Sequence, residues 1–251
     1  MFKDAKWIKS PENKEEACYD FYKTISIDKE VKSAVLNVTA MGMYRAFIND
    51  KKVGNEIFTP YFTEYSKRLQ YQSYDVSDML CETTEISIIC AEGWAIGDLR
   101  AGANRRNHYA ENISLIFSLD IVYIDGTKEK IVSDENVCVR TSHILSSSIY
   151  HGETVDMTSK IRQLGNALSE ESVKTTLIPQ QGEKVTEQDR IKPLCLIETP
   201  KGEKVIDFGQ NLAGYVEIEF NGNYATMVRY LKETVGVFTT FREAYLVSAI
   251  V

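Results

Sequence analysis

Short segments in which apolar and polar residues alternate dominate the sequence, and they constrain its fold more than any other feature. A period of two places successive side chains on opposite faces of a β-strand. The segments that show this pattern most clearly are 34–40, 44–48, 85–91, 113–124, 130–133 and 214–220. The turn-forming pairs Asp125-Gly126 and Asn221-Gly222 follow two of them. Many short strands separated by turns predict an all-β sandwich architecture.

Helical periodicity is weak by comparison. One short helical turn is predicted within 75–80, and 155–168 is a second helix candidate. A polar, glycine-containing stretch at 180–184 indicates a nearby domain boundary. We therefore predict two domains, residues 1–174 and residues 175–251. The second is small for an autonomous sandwich, because short chains bury a smaller share of their surface.

Charge and cysteine usage narrow the class of protein. The net charge is -7 and the pI about 5.2, so the basic surface of a nucleic-acid-binding protein is not expected. The N-terminal residues include no apolar signal-peptide region, and no stretch reaches 18 consecutive apolar residues; both features predict a cytoplasmic protein without a membrane span. The five cysteines are odd in number and have no C-x-x-C spacing, which favours free thiols over disulfides or a zinc site.

Six segments make the chain recognisable. In order, they are residues 40–54 (AMGMYRAFINDKKVG), 59–68 (TPYFTEYSKR), 71–80 (YQSYDVSDML), 92–97 (EGWAIG), 149–156 (IYHGETVD) and 205–216 (VIDFGQNLAGYV). They resemble, in the same order, segments of the bacterial α-L-rhamnosidase family of glycoside hydrolases. The resemblance implies a jelly-roll-like, galactose-binding-like antiparallel β-sandwich followed by a second, incomplete, concanavalin-like β-sandwich.

The chain departs from the family pattern at several positions. Asp50 stands where the family has glycine in a hairpin turn, and aspartate tolerates left-handed geometry at modest cost. Val155 replaces an aromatic residue, and Ala95-Ile96 replaces a more polar pair beside Trp94. Family members continue through an (α/α)6 barrel that holds the catalytic acid and base. Because this sequence ends before such a barrel, we expect a truncated member without catalytic residues of its own.

Isolated acidic residues do not alter that expectation. Glycosidases use two carboxyl groups held at a defined separation across the bond that they cleave. Glu153, Asp156 and Asp207 are the acidic residues within the recognised segments that invite this interpretation. The resemblance places them outside the catalytic barrel. Helix capping, loop hydrogen bonds or a domain interface are therefore the roles predicted for them.

The loop that begins at Trp94 has the composition of a sugar site. Aromatic rings stack on sugars, while carboxylate, amide and guanidinium groups bind vicinal hydroxyls. The candidate carbohydrate-binding residues are Trp94, Asp98, Arg100, Asn104, Asn107 and Tyr109. Some domains of the resembled family bind rhamnose with the help of calcium, although Arg105 and Arg106 would repel a cation. The alternative is an ordered loop whose tryptophan plugs the end of the sandwich.

Three functional interpretations remain open from the sequence. The first is a carbohydrate-binding or scaffolding N-terminal portion of an α-L-rhamnosidase, whose partner is a rhamnose-containing glycoside. The second is a hydrolase whose active site assembles between chains. The third is a structural fragment without a ligand, in which open strand edges within 200–251 promote homo-oligomers.

Overall fold

The structure is a computed structural model that describes residues 1–99 and 106–210. Its strands, in chain order, are β1 (Ile8–Lys9), β2 (Tyr19–Ser26), β3 (Val31–Met41), β4 (Met43–Ile48), β5 (Lys51–Lys52), β6 (Arg68–Asp75), β7 (Thr83–Ala91), β8 (Ser114–Tyr123), β9 (Lys128–Val132), β10 (Cys138–Thr141), β11 (Ile144–Ser148), β12 (Gly152–Val155), β13 (Gln163–Asn166), β14 (Leu168–Ser169), β15 (Thr176–Pro179), β16 (Cys195–Glu198) and β17 (Lys204–Asp207). A 3-10 turn, Ser77–Met79, and a short helix α1, Gly93–Ile96, complete the regular elements. The all-β prediction is confirmed.

Two sheets build the sandwich. The seven-stranded sheet has the order β14-β1-β8-β3-β6-β15, with β9 also paired to β8. The six-stranded sheet has the order β13-β10-β2-β7-β4-β5. Neighbouring strands are antiparallel except for β15, which pairs with β6 in parallel. Strands β11 and β12 form a separate two-stranded sheet.

One hydrophobic core lies between the two sheets. Leu36, Phe117 and Leu119 come from the seven-stranded sheet, and Phe21 and Ile88 from the six-stranded sheet. Each is almost fully buried. Burying a large apolar side chain of this kind contributes roughly 1.5–3 kcal/mol. The alternation read from the sequence therefore specifies which face of each strand contributes to the core.

The predicted turn after β4 is confirmed in detail. Asn49 and Asp50 both have positive φ, 50° and 62°, which is the geometry of a type I′ hairpin. Strand β5 then pairs back on β4 through Phe47 opposite Lys52. Asp50 thus adopts the left-handed conformation at the position where the family has glycine. The Asp125-Gly126 turn between β8 and β9 is likewise present.

The predicted helix at 155–168 is wrong. The segment contains β13 and part of β12 instead. Asp156 closes its own turn by accepting hydrogen bonds at 2.9 and 2.7 Å from the N–H and hydroxyl of Thr158. Gly165 has a φ of 103°, which no right-handed helix accommodates. The shorter prediction at 75–80 is confirmed as the 3-10 turn.

The chain divides into two compact units. The first comprises Met1–Ile149 and Thr154–Glu187, and it contains the sandwich. The predicted boundary between residues 174 and 175 falls inside this unit, because β15 adds to the edge of its seven-stranded sheet. Within the second unit, β16 and β17 form an antiparallel hairpin. The two-domain division and the association through 200–251 stay predictions, and residues 211–251 lie outside the described part.

All five cysteines are free thiols. Among the residues that the structure describes, no helix is long and apolar enough to cross a membrane.

The carboxylate of Glu170 makes stability depend on pH. Burial raises its pKa, but hydrogen bonds from Ser172 and the ammonium of Lys9 at 3.0 Å outweigh burial and lower the pKa to about 2. Because the folded pKa lies below the unfolded value of 4.5, this stabilisation is present above pH 4.5 and is lost as the pH falls towards 2.

Replacing Glu170 with Gln should therefore flatten the decline of unfolding free energy between pH 4.5 and about 2. The pKa difference between 4.5 and about 2 sets an upper limit of about 3.4 kcal/mol, which solvent screening lowers. Urea unfolding of both proteins at several pH values measures the difference. Parallel pH profiles for the two proteins would contradict the assignment.

Candidate functional site

Trp94 lies at one end of the sandwich because the chain turns sharply after β7. Gly93 has a φ of 54°, and a Cβ atom there would lie 2.6 Å from Cγ of Met43. Gly93 begins the short helix α1, which buries Ala95 and Ile96 in the core. Trp94, between Gly93 and Ala95, is half-buried and packs against the core.

Two phenylalanines that sequence reasoning missed stand beside this tryptophan. The ring centroid of Phe58 lies 5.9 Å from that of Trp94, and the ring of Phe62 lies 6.1 Å away in an edge-to-face arrangement. Phe58 is 37% exposed and Phe62 is 54% exposed. We call Phe58, Phe62 and Trp94 the aromatic platform. It presents adjacent aromatic rings to solvent at the sandwich end.

Tyrosines connect the platform to the second half of the candidate loop. Tyr65 is buried, lies 5.6 Å from Phe62 and packs edge-to-face on Tyr109 at 5.0 Å. Burial raises the pKa of Tyr65, so the group stays a neutral phenol and donates to the carbonyl of Tyr61 at 3.0 Å. Edge-to-face pairs of this kind are favourable beyond the area that they bury. Trp94 and Tyr109 thus belong to one continuous aromatic cluster.

The buried carboxylate of Glu92 joins the two sides of the loop that follows α1. Both oxygens of Glu92 accept hydrogen bonds from Nη2 of Arg106 at 2.6 Å, and Oε1 also accepts the N–H of Glu16 at 2.8 Å. The N–H groups of Asn107 and Tyr109 donate to carbonyls of α1 at 2.7 and 3.2 Å. These contacts join the residues on the two sides of the loop, 92–96 and 106–109.

The predicted carbohydrate-binding residues are only partly placed. Trp94 and Tyr109 share the aromatic cluster, Asp98 is half-buried at the start of the loop, and Asn107 is exposed in a left-handed conformation. Arg100 and Asn104 lie outside the described residues. A role as sugar contacts stays a prediction for all six.

Calcium is the metal that the sequence raises as a possible cofactor. Within 1–99 and 106–210, no group of three or more His, Cys, Asp or Glu side chains is placed to hold a metal ion. Arg106, which was expected to repel a cation, is engaged by Glu92 and, at 3.0 Å, by Glu15.

Two of the isolated acids have local structural roles. The carboxylate of Asp156 accepts hydrogen bonds from Thr158, and these lower its pKa. The carboxylate of Asp207 accepts the N–H of Gly209 at 2.7 Å within its own turn. Such contacts fix loop geometry, as the sequence predicts for these two residues.

A second charged cluster lies on the outer face of the six-stranded sheet. Arg140 donates to Asp20 and to Glu85, each at 2.7 Å, and its guanidinium lies 4.2 Å from the ring centroid of Tyr22. Asp20 also accepts the hydroxyl of Ser87 at 2.7 Å. Burial raises the pKa of Asp20 in spite of these donors. The charges in this cluster pair with one another, as in a structural network.

Comparisons with known proteins confirm the family that the sequence resembles. Residues 29–193 match the family described as the α-L-rhamnosidase N-terminal domain. An α-L-rhamnosidase of Streptomyces avermitilis is 30% identical over 213 residues, which is 80% of this chain and 20% of that protein. One from Alteromonas sp. is 27% identical and covers 86% of this chain and 25% of its own length. The chain thus spans a fifth to a quarter of these curated relatives.

Solved structures show the same similarity. The α-L-rhamnosidase of Aspergillus terreus superposes with a TM-score of 0.75 at 30% identity, over 85% of this chain and 26% of that one. The Streptomyces avermitilis enzyme, solved in complex with L-rhamnose, gives a TM-score of 0.68 at 27% identity, over 79% of this chain and 20% of that one. Since the family match at 29–193 takes in more than half of the sequence, the chain belongs to the α-L-rhamnosidase N-terminal domain family.

Proposed function

We propose that this chain is the non-catalytic, sugar-binding N-terminal portion of an α-L-rhamnosidase. The observation that carries the proposal is the aromatic platform, in which Phe58, Phe62 and Trp94 expose adjacent rings at the sandwich end. The relatives are α-L-rhamnosidases, and one of them is solved with L-rhamnose. A rhamnose-containing glycoside is therefore the ligand proposed for the platform.

The chemistry of the platform suits a deoxy sugar. The C–H groups and methyl of such a ring pack against aromatic faces, which bring large apolar area with little side-chain entropy to lose. Exposed Asn107 supplies an amide and Asp98 a carboxylate near the loop, and both groups can hydrogen-bond sugar hydroxyls. The ion pair of Glu92 with Arg106 joins the described residues on the two sides of the loop, so these residues need less ordering when a ligand binds.

Calorimetric titration with L-rhamnose tests the proposal. Wild-type protein should give saturable heat, and Trp94→Ala should weaken binding by at least about tenfold, or roughly 1.4 kcal/mol. Trp7→Phe is the matched control, because Trp7 also packs against the core but is not one of the three rings of the platform. Saturable heat that survives Trp94→Ala would contradict the proposed site, and no heat in wild type would favour a purely scaffolding domain.

The rival interpretation, a hydrolase assembled between chains, is tested with the same preparation. Release of aglycone from an aryl α-L-rhamnoside, rising with the square of protein concentration, would support it. We expect no release that survives purification to homogeneity, because the family resemblance places Glu153, Asp156 and Asp207 outside a catalytic barrel.

A further inference from the structure

The loop that carries Phe58 holds a conformation that phenylalanine rarely adopts. Phe58 has a φ of 62° and Tyr61 one of 70°. Such strained positions persist where the surrounding structure determines them. From the core side, Thr59 supplies two contacts: its hydroxyl donates to the carbonyl of Tyr44 at 2.8 Å, and its own carbonyl accepts the N–H of Tyr44 at 3.0 Å.

A second segment holds the same loop from the other side. We call residues 180–187 the strap; it follows β15 within the first unit. The carbonyl of Val185 accepts the N–H of Ile57 at 2.9 Å, and the N–H of Val185 donates to the hydroxyl of Tyr61 at 3.1 Å. One strap residue therefore contacts the loop on both sides of Phe58.

The strap is itself fixed by side chains. The N–H of Gln181 donates to Oε1 of Gln70 at 2.6 Å. The ammonium of Lys184 lies 2.5 Å from Oε1 of Glu56, whose side chain is only 1% exposed. Burying a carboxylate is costly unless it is paired and hydrogen-bonded. Lys184 is the charged partner of Glu56, which lies two residues before Phe58, and the N–H of Asn55 donates to Oε2 of Glu56 at 3.1 Å. Because Lys184 itself is half exposed, the pair lies at the surface end of the buried carboxylate.

We propose that Glu56 and Lys184 are positioning residues of the aromatic platform. Their ion pair holds the strap in place, and the strap keeps the loop around Phe58 in the conformation that exposes Phe58 and Phe62. The consequence for ligand affinity rests on the proposed sugar-binding function, whereas the effect on loop geometry does not. By thermodynamic reciprocity, a ligand that binds the platform also stabilises the strap.

Hydrogen exchange and tryptophan quenching test, without any ligand, whether the ion pair holds the loop around Phe58 in its conformation. In a Trp7→Phe background, Lys184→Met should accelerate exchange of the Ile57 and Val185 amides by at least about tenfold, while core amides such as Val38 keep their wild-type rates. Iodide quenching of Trp94 should change in parallel. Lys184→Arg should restore both readouts, and Lys174→Met, at an exposed lysine shortly before the strap, should match wild type.

Glu56→Gln, which keeps the size of the side chain, should repeat the Lys184→Met result if it folds. Unchanged Ile57 exchange and unchanged quenching in Lys184→Met would overturn the proposal. If the platform binds sugar as proposed, the affinity of Lys184→Met for L-rhamnose should be about tenfold weaker than that of the wild type. If wild type binds no sugar but the exchange and quenching changes appear, the positioning role stands and the sugar-binding function fails.

Discussion

Replacing Gly42 with alanine should destabilise the first unit by more than about 3 kcal/mol. Gly42 is the single residue between β3, in the seven-stranded sheet, and β4, in the six-stranded sheet. Its φ is 140°, and a Cβ atom would lie 2.3 Å from the carbonyl oxygen of Ala91. That oxygen belongs to backbone paired with β4, so it cannot move away without breaking the sheet. Urea or thermal unfolding measures the loss.

Gly126→Ala is the matched control for this experiment. Gly126 also has a positive φ, 83°, but a Cβ atom added there would meet nothing within 4 Å. Only the left-handed backbone then disfavours alanine, which amounts to about 1 kcal/mol. Equal losses for the two variants would show that the close approach to Ala91 is not what requires glycine at position 42.

The second large effect is expected at Glu92. Glu92→Ala should lower the free energy of unfolding by about 2–4 kcal/mol, because it leaves the Arg106 guanidinium and the N–H of Glu16 without their buried acceptor. Arg106 is 22% exposed and keeps its contact with Glu15, which limits the loss. Chemical unfolding checks the magnitude, and Glu135→Gln, at an exposed pair with Lys6, should leave the midpoint unchanged.

The same variant separates stability from site geometry. Since Glu92, on one side of the loop, pairs with Arg106 on the other, Glu92→Ala should also weaken binding of L-rhamnose at a temperature where the protein remains folded. Wild-type affinity for L-rhamnose in folded Glu92→Ala would show that the ion pair of Glu92 with Arg106 is not needed for sugar binding.

Much of the sandwich could be predicted from local sequence. Period-two alternation identifies β4 and β7, in which buried and more exposed side chains alternate along most of the strand, whereas most of β8 is buried on both faces. The Asn49-Asp50 turn is predictable from residue types that tolerate positive φ. Strand β15 is different: it is four residues long and pairs with β6 more than a hundred positions earlier, so no local pattern reveals it.

The candidate site was less predictable, because it too depends on contacts between segments that are distant in sequence. Trp94 and Tyr109 stand out by composition, but the exposure of Phe58 and Phe62 depends on positive φ values at residues that rarely adopt them. The ion pair of Glu92 with Arg106 joins residues across a loop, and that of Glu56 with Lys184 joins distant segments. Charge patterns along the sequence do not specify such tertiary pairs.

The central claim, that the aromatic platform binds sugar, is tested most directly by the two tryptophan indole N–H resonances in a nitrogen-15 NMR spectrum. The chain has two tryptophans, Trp7 and Trp94, and a Trp94→Phe spectrum assigns them. Titration with L-rhamnose should shift the Trp94 resonance along a saturable curve and leave the Trp7 resonance in place. Two stationary resonances throughout the titration would contradict the account.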